Sequence, residues 1–184
     1  MREWKTLTME EYCRLFEHII LAEYDNLFRN AELRQDLGLE DTATAPFLIE
    51  YLSAALYLLE DVAPDSRLPE PVASELVSRV RAQVFRRILP EDAPEGMEAP
   101  YILYSLKRSA EFAAWYARND ETMKQLVEHC LDRAGQTDPV SRMPQSVYLM
   151  NLLPGVVQLF CDLLCSAQPA DGEATCFRIC VPEA

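Results

Sequence analysis

Between Pro144 and Ser166 the chain reads PQSVYLMNLLPGVVQLFCDLLCS. At roughly 100° per residue, its apolar side chains cover a helical wheel except for one stripe. That stripe holds Asn151, Gly155, Gln158 and Asp162, with Tyr148 at its edge. A helix this apolar needs cover on nearly every side. The chain is therefore expected to be an all-α bundle of about six helices around a buried sixth helix. A kink is expected at Pro154, which cannot donate to the carbonyl of Met150. A membrane span is not expected, because the run is barely long enough, polar residues interrupt it and no basic cluster flanks it.

Helices that can surround this one are visible upstream. Thr8 and Glu11 have capping-box spacing, and an apolar face from Met9 through Tyr12, Phe16, Ile20 and Leu27 predicts a helix reaching about Gln35 before Gly38. Pro46 is placed to open a second helix ending near Val62, largely apolar but for Glu50, Ser53, Tyr57, Glu60 and Asp61. A third is expected over 71–89, with Leu76, Val77, Val80, Val84 and Ile88 inward. A fourth runs over 100–119, its inner face centred on Ala110, Ala113 and Ala117 with Ile102 and Leu106. Asp120 caps a fifth that ends at Gly135.

With 184 residues, the whole chain is read as a single helical domain, 1–184. The proline-rich, acidic stretch 89–100 reads as a linker between its halves, and 167–184 as an irregular tail. Residues 174–181 could be extended, but as a lone strand with nothing to pair with. The helix openings Ala45-Pro46-Phe47 and Ala99-Pro100-Tyr101 resemble each other, yet two copies are too few to make a repeat.

The charge narrows the function classes. The chain carries 17 basic and 30 acidic residues, a net −13. A field of that sign disfavours phosphate backbones and anionic lipid, so neither nucleic acid nor membrane is an expected partner. With no apolar signal core in MREWKTLTMEE, the expected compartment is the cytoplasm and the six cysteines are expected to be reduced. Catalytic equipment is missing from the pattern. The two histidines, His18 and His129, lie off their apolar faces, and five glycines cannot build a phosphate-cradling loop. Neither an enzyme nor a cofactor is expected.

Three sets of residues stand out. Tyr104, Arg108 and Trp115 share a ridge of the fourth helix, and aromatic and arginine side chains are what interface hot spots are made of. Glu23 and Arg87 are charges placed on apolar faces, expected to form a buried polar pair or to anchor a ligand in a pocket. Cys161, Cys165, Cys176 and Cys180 have a C-x3-C, ten residues, C-x3-C spacing, looser than typical structural zinc motifs. No metal is therefore expected, with a four-thiolate zinc as the weaker alternative. The leading expectation is an acidic helical protein that acts through protein–protein interaction or self-association. The alternative is a small-molecule-binding regulatory domain, followed by a structural zinc protein.

Overall fold

The structure, a computed structural model, describes residues 3–39, 41–116, 123–170 and 176–181. The fold is all-helical apart from one small sheet. In chain order the elements are β1 (Glu3–Thr8), α1 (Met9–Arg29), α2 (Ala31–Asp36), α3 (Asp41–Val62), α4 (Glu70–Arg87), α5 (Ala99–Tyr116), α6 (Met123–Arg133), α7 (Pro139–Ser166), β2 (Gln168–Pro169) and β3 (Cys176–Val181). A single 3-10 turn, Ala63–Asp65, follows α3. The chain divides into two compact units. One comprises Met1–Ile19, Leu58–Ile102 and Val157–Ala184, the other Ile20–Tyr57 and Leu103–Val156.

In the first unit the capping box forms as the spacing predicts. Thr8 N donates to Glu11 Oε2 at 2.8 Å, and Glu11 N donates to Thr8 Oγ1 at 3.2 Å. These hydrogen bonds, the backbone one foremost, hold the Glu11 carboxyl below its ordinary range. The described part of the tail is not irregular. β3 pairs antiparallel with β1, from Glu3↔Val181 to Thr8↔Cys176, and with the two residues of β2, in the order β1-β3-β2. The expectation of a lone strand fails because its partner lies at the opposite end of the sequence, beyond the reach of any local pattern. Phe177 and Ile179 are buried, and the Phe177 ring stacks on Tyr12 at 4.8 Å. The Tyr12 hydroxyl donates to the Leu163 carbonyl at 3.1 Å, and burial pushes its pKa well above the ordinary value. Phe16 meets Phe160 at 5.7 Å, completing an aromatic core between α1, α7 and the sheet.

α4 buries Leu76, Val77, Val80 and Val84 as its periodicity predicts, together with Arg81, whose Nη2 lies 2.7 Å from Glu60. The stretch 89–98 forms turns and lies within this unit. Arg86 fastens it, donating from Nη1 and Nη2 to the Ala93 carbonyl at 3.2 and 3.1 Å.

In the second unit the long first helix is broken. α1 stops at Arg29 and Asn30 caps α2, its Oδ1 accepting from Leu33 N at 3.0 Å. α3 begins at Asp41, five residues before Pro46. From Phe47 it is buried without a break through Leu59, apart from the half-buried Ile49. α6 buries Leu126, Val127, Cys130 and Leu131, and Gly135, at φ 73°, ends it. The Asp120 cap and Ala117 lie outside the described residues.

The expected centre of the fold needs correction. α7 runs unbroken through Pro144 and Pro154, but only 28% of its most apolar stretch is buried. The continuously buried helix is α3.

Candidate functional site

The features that single out a site all come from helices turned against their own amphipathicity. The spacing in α5 predicts that Ala110 and Ala113 are buried with Leu106. Instead all three are exposed, along with Leu103, while Ser105, Arg108, Ser109 and Phe112 are buried. The cause is Glu50. It stands in the continuously buried part of α3, and a buried carboxylate needs a cation and hydrogen-bond donors. α5 supplies both. Arg108 Nε donates to Glu50 Oε2 at 3.0 Å, and Nη2 lies 2.8 Å from the same oxygen in a charge contact without hydrogen-bond alignment. The Tyr104 hydroxyl donates to Glu50 Oε1. Both charged side chains are almost fully enclosed, at 2% exposure for Arg108 and 3% for Glu50.

The cluster continues outward. Arg108 also pairs with Glu111, which accepts from Arg133 Nη2 at 3.1 Å, and its guanidinium carbon sits 4.5 Å from the Phe112 ring centre. Phe112 packs against Tyr57 at 5.2 Å and edge-on to His129 at 5.8 Å. Burial alone would lower the Arg108 pKa, but Glu50 and Glu111 outweigh it and raise it. Burial, reinforced by the Glu50 hydrogen bond, pushes the Tyr104 phenol up to about 12. Burial also lowers His129, with Arg108 and Arg133 adding to the shift. A permanently charged arginine, a neutral phenol and a lowered histidine make this cluster a structural lock on the α3–α5 packing. The ridge expected from Tyr104, Arg108 and Trp115 is therefore not one exposed surface. Arg108 is interior, Tyr104 is anchored to Glu50, and the Trp115 side chain lies outside the described residues.

The first part of α7 is arranged in the same way. Asp138 caps it, accepting from Ser141 N at 2.9 Å, and Pro139 opens it. Its polar side chains then turn inward. Arg142 bonds Glu128 Oε2 at 2.6 Å, Asp132 Oδ1 at 2.6 Å and the Gln136 carbonyl at 2.8 Å. Gln145, fully buried, donates to the Leu37 carbonyl at 3.0 Å, and Ser146 donates to Glu128 at 3.0 Å. With that side facing the protein, Val140, Met143 and Val147 are left outside, at 82, 71 and 54% exposure. They recur at i, i+3 and i+7, the spacing of a helix–helix seam.

The other expected residues do not assemble. Glu23 is half-buried and accepts from Asn26 at 3.0 Å and from the Tyr148 hydroxyl, while Arg87 is exposed at the end of α4. Neither is half of a buried ion pair. Among the described residues Glu50–Arg108 is such a pair, and the sequence carried a signal for it, since Glu50 is the only charge between Asp41 and Glu60. Arg87 does line an open cleft of about 590 Å³ in the first unit, with Arg14, Arg86, Glu17 and Glu98. Cys161 and Cys176 are half-buried and Cys165 is exposed, all as free thiols. Burial raises the Cys161 pKa, which disfavours the thiolate a metal needs. Among the described residues no group of three or more His, Cys, Asp or Glu side chains is placed to hold a metal, and the Cys180 side chain lies outside them.

No protein-family model matches the chain, and neither a curated protein nor a solved structure does.

Proposed function

We propose that this protein acts by binding another protein molecule, and that the docking face is the seam Val140–Met143–Val147 on α7. The observation that carries the reading is the orientation of the first part of α7, where Arg142, Gln145 and Ser146 are engaged inward while Val140, Met143 and Val147 face out. Contiguous exposed apolar side chains on a folded protein mark interaction sites, because the hydrophobic gain of covering them remains available. The outer face of α5, with Leu103, Leu106 and Ala110, is a second exposed apolar surface of the same unit. The small-molecule alternative has the cleft lined by Arg87, but that cleft is open and lined by charges of both signs.

The test compares the full chain with Met143→Asp Val147→Asp. Both positions are exposed, so the variant should match the wild type in circular dichroism and thermal melting. It should also lose the proteins retained by the immobilised wild type. Unchanged retention would remove the seam as the docking face. α7 is long and apolar enough by length and composition to cross a membrane. Flotation of the wild type, but not the variant, with phosphatidylcholine vesicles would replace the protein partner by a lipid one.

A further inference from the structure

We infer that the molecule seated on the α7 seam is a second copy of this chain, antiparallel to the first about a two-fold axis beside Met143. The inference rests on the docking face proposed above. Two observations point to a copy. The seam reads the same in both directions, valine, methionine, valine, with its midpoint between residues 143 and 144. A two-fold axis there sets Val140 of one copy against Val147 of the other, and leaves the two Met143 side chains about one residue's rise of 1.5 Å apart beside the axis. Such self-complementarity is what an isologous interface requires.

The second observation is charge. Between Pro139 and Cys161 the only charged residue is Arg142, and it is committed inward to Glu128 and Asp132. Two molecules that each carry a net −13 can therefore bring this part of α7 together without its own side chains opposing like charges. A basic partner drawn by the acidic surface would find no acidic side chain on the seam to pair with. The antiparallel arrangement follows from the helix dipoles. A parallel pair would set like ends of the two helix dipoles side by side, whereas the antiparallel pair sets opposite ends together. Three side chains over about two turns cover less than a standard interface of roughly 800 Å² per partner, so the dimer is a weak, reversible one.

The experiment is sedimentation equilibrium of the full chain from micromolar to several hundred micromolar, with a charge-exchange pair. The wild type should show a monomer–dimer equilibrium that strengthens as salt screens the like net charges. Val140→Glu and Val147→Lys should each sediment as monomers, with unchanged circular dichroism. Their equimolar mixture should recover the dimer, because antiparallel register sets the carboxylate introduced in one copy against the ammonium introduced in the other. A wild type that stays monomeric throughout overturns the inference. So does a dimer unaffected by the single variants, or a mixture that fails to reassociate. If the wild type is monomeric and Met143→Asp Val147→Asp still loses a bound foreign protein, the docking face stands and only the second copy falls. If retention is also unchanged, both fall.

Discussion

α3 and α7 are two long helices of similar, mostly apolar composition, and they end in opposite situations. α3 is buried almost continuously from Phe47 to Leu59, while most of the apolar stretch of α7 is in contact with solvent. Their few polar residues account for the difference. On α3, Glu50 is met by Arg108 and Tyr104, so the polar side of the helix is covered as fully as its apolar sides. On α7, Arg142, Gln145 and Ser146 find partners on one side only, and that side becomes the inner one. In the first part of α7 hydrogen-bond demand sets the inner side, while farther along Leu149, Leu153, Val156, Phe160 and Leu164 turn inward. A buried donor or acceptor left unmatched costs about 1–3 kcal/mol, comparable with the gain from burying one more aliphatic side chain.

Stripping α3 of its cover should have the largest effect. Arg108→Met leaves the Glu50 carboxylate enclosed and unpaired, and should destabilise the protein by about 3–5 kcal/mol in urea melts. The double variant Glu50→Leu Arg108→Met should recover much of that loss. Strict additivity would mean that the pair is not what fixes α5 against α3.

Next in size is apolar truncation on the covered helix. Leu52→Ala, at a fully buried position, should cost about 2–5 kcal/mol. Arg142→Met tests what turns α7. The guanidinium is partly exposed, so the loss should be only about 1–2 kcal/mol after allowance for solvent screening. It should also depend on pH. The hydrogen bond from Arg142 foremost holds the Glu128 carboxyl below its ordinary value of 4.5, so the folded state binds fewer protons than the unfolded one. The pair's contribution is therefore present above that value and fades as pH falls through the lowered one. Stability of Arg142→Met and wild type should converge in acid. The smallest effect is expected on the exposed face of α7. Met143→Ala on the exposed seam should change stability by no more than about 0.5 kcal/mol, and a loss near that of Leu52→Ala would show that the seam is covered.

Much of the fold was legible locally. The Thr8–Glu11 box, the inward face of α4 and the stop at Gly135 are properties of neighbouring residues, and each appears where the spacing put it. The orientation of α5 was not legible from its own residues. Ala110 and Ala113 look like the inner face until the needs of Glu50, more than fifty residues upstream, are counted. Likewise the apolar run 144–166 predicts a buried helix, because the wheel shows how apolar α7 is and not where Leu37, Glu128 and Gln136 await its polar side chains. The candidate seam follows from that facing, so it became visible only once the partners of Arg142 and Gln145 were known.

The pairing of β1 with β3 also shapes how the molecule is made. Thr8 emerges from the ribosome 168 residues before Cys176, the residue it will sit opposite. At roughly 5–20 residues per second, that separation amounts to about 10–30 s of synthesis. Throughout that interval the residues of β1 lack their partner, and an unpaired strand is the kind of template that recruits strands from other nascent chains. The exposed Lys5 of β1 blunts that tendency during the wait. Replacing Lys5 by an aliphatic residue would then be felt less in the melting temperature of the finished protein than in the fraction of newly made chains that stay out of aggregates.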